Sequence, residues 1–485
     1  MSEVKPVLRV LTRKQREAVH HYACRILAET GVRVDWPEAR DRLDAGGCRI
    51  SGNGRVLFPE TMIQEAISTA PKTVTMFDRK GREAFVVGAS QNARTRFGVG
   101  VTNLFYQNPL TDELTPFQLA HVSNAVRLAN RLPRFDLVST PGIAKDRDPG
   151  KADLEVTTEM VANTIKPLVL LVSEHRLFDP VLDLVAHLHP ENTQKPFAIP
   201  YVNPITPLVM NAETLQKVIS TVQRGLPLIY NNYGMSGATA PITPAGTLAL
   251  LTAELLAGLA FAQIVKPGSA VILGSLPAGF DMRAMMSVYT PVTVMLNLAC
   301  AEMMAHYRLP HSGTSGSGPG WGADLMAGGA LWLNHLTACM GKVGLAPFVG
   351  GNLDSMAFSP ASVVYADEVI GQARQFSGGF GLSGDAVSLD QIDRIGPAGS
   401  YLASKQTLAL FRDFSDQAPL WPVMSLDSWQ EARCPRAETQ LRQHTAALLA
   451  DTPGPGDMAH LRAEGIKFIA DLNIKGDGAV AGNGR

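Results

Sequence analysis

Residues 237–283 read GATAPITPAGTLALLTAELLAGLAFAQIVKPGSAVILGSLPAGFDMR, and this stretch decides the fold class. A Gly/Pro-rich loop precedes a long apolar run, which a Lys266-Pro267-Gly268 turn separates from a shorter apolar run at 270–275. The pattern predicts one long buried helix, then a strand, then a glycine-rich loop. It is one α/β unit whose polar residues follow the strand.

The rest of the chain repeats this unit. Apolar runs that predict strands lie at 97–104, 135–139, 167–173, 197–202, 227–231, 270–275, 310–313 and 347–351. Helical stretches lie between them, such as 115–130, 243–265, 291–307 and 323–341, with a last one at 361–375. Eight strand–helix pairs are the count of a (β/α)8 TIM barrel. An open doubly wound sheet is the alternative, although no G-x-G-x-x-G motif follows the first strand.

We expect four regions along the chain. Residues 1–94 form an N-terminal α+β cap, residues 95–378 the TIM barrel, and residues 379–452 a helical C-terminal extension. Residues 453–485 begin with the hinge Pro453-Gly454-Pro455-Gly456, continue as a short helix and end as a flexible tail.

Composition narrows the class of protein. The 485 residues are 46% hydrophobic and 18% charged, enough for a large core, and the net charge of −1 without a basic stripe argues against nucleic-acid binding. The charged N-terminus predicts no signal peptide. Glu254 and Gln263 interrupt the apolar run at 243–265, so we expect a core helix and no membrane span. Few charges and many small residues favour a homo-oligomer.

The five cysteines are scattered, without the short spacings of a disulfide scaffold or a zinc site. We therefore expect a cytoplasmic protein that itself binds no metal.

The loops after the predicted strands are rich in glycine, aromatic and amide residues and poor in acid/base pairs. An aromatic, uncharged mouth suits a quaternary ammonium ion. Removal of a methyl group from such a cation leaves a neutral amine, so no general acid is needed. The expected substrate-binding residues are Tyr22, Phe97, Tyr106, Tyr230, Asn231, Tyr233, Arg283, His311, Phe348 and Phe358. Alternatively, the glycine-rich loop at 313–320 would hold a phosphate, as in a TIM-barrel lyase or aldolase on a phosphorylated substrate.

Several short motifs follow one another in order over residues 12–450: ETGV at 29–32, RVLFP at 55–59, NPITPL at 203–208, the stretch quoted first, GTS at 313–315, LDS at 353–355, ADEVI at 366–370 and IGPAG at 395–399. In this collinear set the chain resembles the trimethylamine methyltransferase family, in the branch without pyrrolysine.

The resemblance implies a TIM barrel that demethylates a methylated amine. Founding members carry pyrrolysine in the loop after strand 7, and the equivalent position here is at or near Gly318. The branch without it uses quaternary amines such as glycine betaine. We take Gly318, Asp367 and Glu368 as the catalytic candidates. The chain has no Asp-x-His-x-x-Gly cobalamin signature. The family's corrinoid should therefore reside on a separate partner protein, with Co(I) as the nucleophile.

Two departures from the family bear on the substrate. FVGGN at 348–352 replaces a stretch that often reads His-Gly-Ala-Gly, and Lys405-Gln406-Thr407 stands where many relatives have His-Thr. They leave room for a bulkier betaine such as proline betaine, carnitine or butyrobetaine. A substrate carboxylate would need a donor from Arg283, His311, Asn231 or Asn232. The non-enzyme alternative is a betaine-binding paralogue that has lost methyl transfer.

Overall fold

A closed parallel barrel forms the body of the protein. The computed structural model describes residues 3–89, 94–189, 191, 194–316, 318, 320–415 and 420–472. In this part of the chain, eight parallel strands form one sheet in the order β5-β4-β3-β2-β1-β8-β7-β6, and β5 pairs with β6 to close it. They are β1 Arg96–Val99, β2 Leu137–Ser139, β3 Leu168–Leu170, β4 Ala198–Val202, β5 Leu228–Ser236, β6 Val271–Asp281, β7 His311–Ser312 and β8 Leu345–Val349.

The eight predicted strands overlap these eight, so the predicted (β/α)8 fold is confirmed. The open-sheet alternative is wrong because the sheet has no free parallel edge once β5 and β6 have paired.

A helix follows each barrel strand in the described residues. These helices are α1 Leu119–Arg131, α2 Ala152–Asn163, α3 Phe178–Leu188, α4 Ala212–Gln223, α5 Pro244–Val265, α6 Pro291–His306, α7 Leu325–Met340 and α8 Pro360–Gly378.

The helix α5 lies between two layers. One side packs on β5 and β6, and the other packs on the helices Arg13–Arg25 and Glu60–Thr69. Of the described helices, α5 is the one long and apolar enough to cross a membrane, yet 89% of its apolar window is buried inside the protein. It is therefore a core helix, which explains why its apolar residues show no one-sided pattern.

A β-hairpin closes the amino end of the barrel. Its strands Thr73–Phe77 and Glu83–Gly88 insert apolar side chains against the barrel interior. There they meet a layer made of Leu137, Val169, Ile199, Ile229, Ile272 and Leu345. A substrate must therefore enter from the opposite end, where the strands end and the βα loops begin.

Shorter elements surround the barrel. Before it lie the helices Arg13–Arg25, Pro37–Ala45 and Glu60–Thr69 and the strands Glu3–Val4, Arg33–Val34, Arg49–Ile50 and Val56–Leu57. Further strands are Phe105–Gln107, Leu114–Pro116, Val209–Met210, Met286–Val288, Gly351–Asn352, Ala357–Phe358 and Phe380–Gly381. After the barrel lie the helices Gly384–Val387, Leu389–Ile395, Lys405–Ser415, Leu426–Glu431, Ala437–Ala450 and Met458–Asp471.

Ion pairs fasten the last helix to the barrel. The carboxylate of Asp457 accepts hydrogen bonds from both terminal nitrogens of Arg79, at 2.7 and 2.8 Å. Arg462 makes a similar two-pronged contact with Glu159 of α2. The predicted tail beyond Leu472 lies outside the described residues, and the four predicted domain boundaries stay predictions.

The contact between Gly258 of α5 and Tyr230 of β5 sets how closely the helix approaches the sheet. A β-carbon on Gly258 would lie 2.2 Å from the Tyr230 ring, which is itself fully buried. Only glycine allows this approach. Gly329 of α7 is also a glycine inside a helix, but a β-carbon there would meet nothing within 4 Å.

We predict opposite effects for alanine at these two positions. Gly258→Ala should destabilise the protein by about 1–3 kcal/mol, because the buried ring has no space to retreat. Gly329→Ala should stabilise it by about 0.5–1 kcal/mol, because alanine loses less entropy in a helix. Thermal and urea unfolding of both variants checks this. An undiminished melting temperature for Gly258→Ala would show that the helix can shift.

Candidate functional site

Strand alternation decides which side chains enter the barrel. Ile229 and Ile272 belong to the interior layer above the hairpin, so residues two positions further along β5 and β6 also face inward. These are Asn231 and Gly274, which are partners across the two strands. Gly274 pairs in turn with Ser312 of β7. One interior row therefore runs across three strands.

This row carries polar atoms without partners. Asn231 Oδ1 and Ser312 Oγ are fully buried and accept or donate no hydrogen bond among the described residues. Gly274 makes room for the amide, since a β-carbon there would lie 1.6 Å from Asn231 Oδ1. Buried polar atoms without a partner cost free energy unless a ligand or water meets them. The row is therefore a place where a small polar ligand would be bound.

Two aromatic rings stand beside the row. Tyr201 of β4 has its hydroxyl 3.5 Å from Asn231 Nδ2, and its ring meets Phe348 of β8 edge to face, with centroids 5.4 Å apart. Burial raises the pKa of Tyr201 to about 12, so its hydroxyl stays protonated at neutral pH. Together, Tyr201, Asn231, Gly274, Ser312 and Phe348 form what we call the chamber floor.

Four side chains meet nearer the entrance: Tyr233, Ser287, Tyr289 and Asp354, which we call the mouth cluster. Ser287 Oγ donates a hydrogen bond to Asp354 Oδ2. The hydroxyls of Tyr233 and Tyr289 lie close enough to each other, and to Ser287 and Asp354 respectively, to affect the pKa of each tyrosine. Burial, reinforced by the negative charge of Asp354, raises the pKa of both tyrosines. The cluster therefore offers two neutral rings and one carboxylate.

The backbone at Asp354 is unusual. Leu353, Asp354 and Ser355 have φ values of +52°, +56° and +61°, the left-handed region that side chains other than glycine seldom adopt. Such conformations cost free energy and persist where the surroundings impose them, often at functional sites. Here they hold the carboxylate of the loop after β8 against the hairpin after β6.

A cavity of about 280 Å³ opens at the carboxyl ends of β3 and β4. Tyr201 of the chamber floor lines it, with Leu171, Asn203 and Lys217 of α4. Lys217 Nζ donates to the carbonyl of Val172 at 3.2 Å. Burial lowers its pKa, an effect that nearby carboxylates oppose. The cavity thus places an aromatic ring, a cation and the carboxylate of Glu213 within one space of small-molecule size.

Three predicted binding residues belong to this region, namely Asn231, Tyr233 and Phe348. Three others point the opposite way, into the layer between sheet and helices. Tyr230 packs on Gly258, and Phe97 packs on His335, 5.2 Å between centroids. His311 alternates with the inward Ser312, and burial lowers its pKa to about 3, so it carries no positive charge at neutral pH. These three are corrected to core residues, because neighbouring positions on a strand face opposite sides.

The other four predicted binding residues lie outside the chamber. Tyr106, in the segment after β1, stacks on Phe358, in the segment after β8, with ring centroids 6.2 Å apart. Tyr22 is exposed on the helix Arg13–Arg25, which covers the outside of α5. Arg283 is exposed on the turn after β6, where its N–H donates to Asp281 at 2.7 Å. The geometry brings none of them to the chamber floor.

Two of the catalytic candidates lie at the wrong end of the barrel. Asp367 accepts hydrogen bonds from the backbone N–H and the guanidinium of Arg134, both at 2.9 Å, and Glu368 lies 3.6 Å from the same guanidinium. Arg134 is in the loop that leads into β2, at the amino end of the barrel. This corrects the catalytic assignment: the two carboxylates fasten α8 to that loop.

The third catalytic candidate, Gly318, follows β7 and is buried. A β-carbon there would have Ala330 as its nearest neighbour, at 3.9 Å. Ser317 and Pro319 lie outside the described residues.

Sequence reasoning missed Tyr201, Ser312, Tyr289, Asp354 and Lys217 as site residues. Alternation could have indicated Tyr201, which lies two residues after an apolar position of β4. The other four depend on contacts between elements that are distant in sequence, for which a single sequence gives no signal.

Comparison with known proteins agrees with the fold and adds a family. The family model described as Trimethylamine methyltransferase (MTTB) matches residues 1–470. A trimethylamine methyltransferase of Desulfitobacterium hafniense is 25% identical over 444 residues, covering 90% of this chain and 89% of that protein. A glycine betaine methyltransferase of the same species is 24% identical, covering 97% and 98%.

Among solved structures, the monomethylamine methyltransferase of Methanosarcina barkeri aligns with a TM-score of 0.51 and 12% identity. It covers 92% of this chain and 94% of that one, which supports the shared barrel fold.

The structural assignment of Asp367 generates a prediction. Asp367→Asn should cost about 2 kcal/mol of stability, since it leaves the Arg134 guanidinium without its buried counter-charge. Glu368→Gln, at the longer distance, should cost less than about 1 kcal/mol. Urea unfolding measures both. Unchanged stability of Asp367→Asn together with lost enzyme activity would restore the catalytic role.

Proposed function

The chain belongs to the trimethylamine methyltransferase family and is a methyltransferase, and we propose that it moves a methyl group from a quaternary amine to the cobalt of a separate corrinoid protein. Glycine betaine or a related betaine is the proposed methyl donor. The observation that carries the proposal is the family match over residues 1–470, combined with a glycine at position 318 in the loop after β7.

Demethylation of a quaternary amine needs no activating side chain in the loop after β7. A quaternary amine already carries the positive charge that activates its methyl group, and the leaving amine is neutral. Gly318 has no side chain with which to activate a neutral amine. The protein's own contribution is then to position the donor and to exclude water.

We assign the cationic end of the donor to the aromatic groups of the chamber. Tyr201 and Phe348 offer ring surface at the chamber floor, and Tyr233 and Tyr289 offer it at the mouth. Aromatic faces attract quaternary ammonium ions, and the attraction strengthens when water is excluded. The Asp354 carboxylate adds a negative charge near the entrance.

We assign the carboxylate end of a betaine to Lys217. It is the cation that lines the cavity shared with Tyr201. Of the donors expected from sequence, His311 is neutral and outward, Arg283 lies on an exposed turn, and Asn232 is bound to Glu254 at 2.8 Å. Asn231 stays available through its unpaired Oδ1, which is an acceptor and would meet a different group.

The methyl acceptor needs access to the mouth, and the rim there supports a protein partner. Apolar side chains are exposed on the loops after β6 and β7 and at the start of α7, namely Met282, Met285, Trp321 and Leu325. Exposed apolar groups of this kind mark interaction surfaces. The reduced corrinoid of the docked partner supplies the nucleophile, while this chain holds the methyl donor.

We further propose a cytoplasmic homo-oligomer. All five cysteines are described and free, which suits a reducing compartment. Beyond α8, the helices Leu389–Ile395 and Leu426–Glu431 bury no residue within the chain, and Leu402 and Val423 are more than 80% exposed. A second copy would cover such a surface.

A methyl-transfer assay tests the function. The purified protein is mixed with its corrinoid protein, or with free Co(I) cobalamin, and with a panel of betaines and methylamines. We expect the Co(I) spectrum to convert to that of methyl-Co(III) with a quaternary amine and to stay unchanged with trimethylamine. Turnover of trimethylamine would contradict the quaternary assignment. No methylation despite measurable betaine binding would favour the silent paralogue.

Binding measurements test the two assigned ends of the donor. Tyr201→Leu should weaken the binding of both glycine betaine and tetramethylammonium about tenfold, because a cation–π attraction is lost. Lys217→Gln should weaken the binding of glycine betaine by a similar factor, about tenfold. The affinity for tetramethylammonium should stay unchanged, since that ion has no carboxylate. Isothermal calorimetry measures both.

Tyr22→Leu is the control and should bind both ligands as the unmodified protein does, because Tyr22 is exposed outside α5. If Lys217→Gln lowers the affinity for both ligands equally, Lys217 does not bind the carboxylate of the betaine.

A further inference from the structure

A group of metal-binding side chains lies away from the chamber, on the N-terminal helices. His20 and Cys24 are one turn apart on the helix Arg13–Arg25, and Glu60 begins the helix Glu60–Thr69. One ligand atom from each of the three lies within 4.8 Å of the others. We propose that His20, Cys24 and Glu60 bind a zinc ion.

The separation of the nitrogen and sulfur atoms suits zinc. His20 Nε2 lies 3.6 Å from Cys24 Sγ. A zinc ion bound about 2.0 Å from nitrogen and about 2.3 Å from sulfur, at a tetrahedral angle, holds these two atoms about 3.5 Å apart. The separation is therefore close to the required one, although Sγ also lies 3.9 Å from Nδ1 and so beside the ring rather than along the Nε2 lone pair. A rotation of the Cys24 and His20 side chains on their shared helix would bring both atoms onto one ion.

The other ring nitrogen of His20 has the partner that a metal-binding histidine usually has. His20 Nδ1 lies 3.0 Å from the hydroxyl of Tyr307, which follows α6. With Nδ1–H donating to this oxygen, Nε2 carries the free lone pair that would bind the ion. Such an outer hydrogen bond fixes the tautomer and the ring orientation of a zinc ligand.

Ligand chemistry selects the metal. A thiolate, an imidazole and a carboxylate are the three side chains that zinc takes, and calcium or magnesium would prefer oxygen ligands throughout. Glu60 is exposed, so water can supply the fourth ligand. Burial and the Glu60 charge raise the pKa of Cys24 to about 11, so zinc must displace a proton from this thiol.

The position suggests what the ion would do. Through His20 and Tyr307 it would connect the helix Arg13–Arg25 to the end of α6, and through Glu60 to the helix Glu60–Thr69. Both N-terminal helices cover α5. The ion would therefore fasten the N-terminal layer to the barrel, on the outer side and away from the chamber floor. The cysteine spacing predicts a chain that binds no metal, and the proposed site departs from that expectation.

Metal content of purified full-length protein tests the site. The protein is incubated with zinc, dialysed, and measured by plasma mass spectrometry; we expect about one zinc per chain. His20→Gln and Cys24→Ser should each lose most of it. His21→Gln and Cys48→Ser are the matched controls, an exposed neighbour on the same helix and another buried cysteine of the N-terminal region, and both should retain zinc.

Cobalt substitution identifies the ligands directly. Co²⁺ in the site should give a thiolate-to-metal charge-transfer band, present in the unmodified protein and in Cys48→Ser and absent in Cys24→Ser. Circular dichroism establishes that each variant is folded. Zinc missing from the unmodified protein, or retained by folded Cys24→Ser, would overturn the proposal and leave a thiol–imidazole hydrogen bond. Neither readout depends on methyl transfer.

Discussion

The parallel pairing of β5 with β6 is the constraint on which the site depends. It runs without interruption from Leu228 opposite Val271 to Ser236 opposite Gly279, and it closes the barrel. Because side chains alternate along a strand, this register sends Asn231 and Tyr233 inward and Tyr230 and Asn232 outward. A shift of one residue would exchange the two sets and bury the chamber floor in the helix layer.

Two glycines make room for side chains of β5, one on β6 and one on α5. Gly274 leaves the space that the Asn231 amide occupies, and Gly258 of α5 leaves the space for the Tyr230 ring. Each glycine thus accommodates a large side chain of β5, one on the inner face and one on the outer face. On the inner face, Asn231 Oδ1 and Ser312 Oγ have no hydrogen-bond partner among the described residues. The free-energy cost of burying them unpaired would be offset by a bound ligand.

The sequence predicted the barrel because eight apolar runs alternate with helices, and such runs mark parallel strands buried on both faces. The same property prevented the sequence from showing which side chains face the barrel interior. A strand that is apolar on both faces shows no alternation, so Tyr230 and Tyr233 looked equivalent although they face opposite sides. Asp367 looked catalytic because a single sequence does not show that Arg134 lies beside it. Asp354 and Tyr289, distant in sequence, meet only after folding.

The charges of the chamber agree with the proposed donor. Burial keeps the tyrosines protonated and His311 neutral, so the formal charges are those of Asp354 at the mouth and of Lys217 and its neighbour Glu213 in the cavity. A zwitterionic betaine presents a cation and an anion, and two separated opposite charges can orient it. A phosphorylated substrate would instead need a cluster of donors, and Asp354 would repel it. The arrangement of charge therefore favours a betaine over the phosphate-binding alternative.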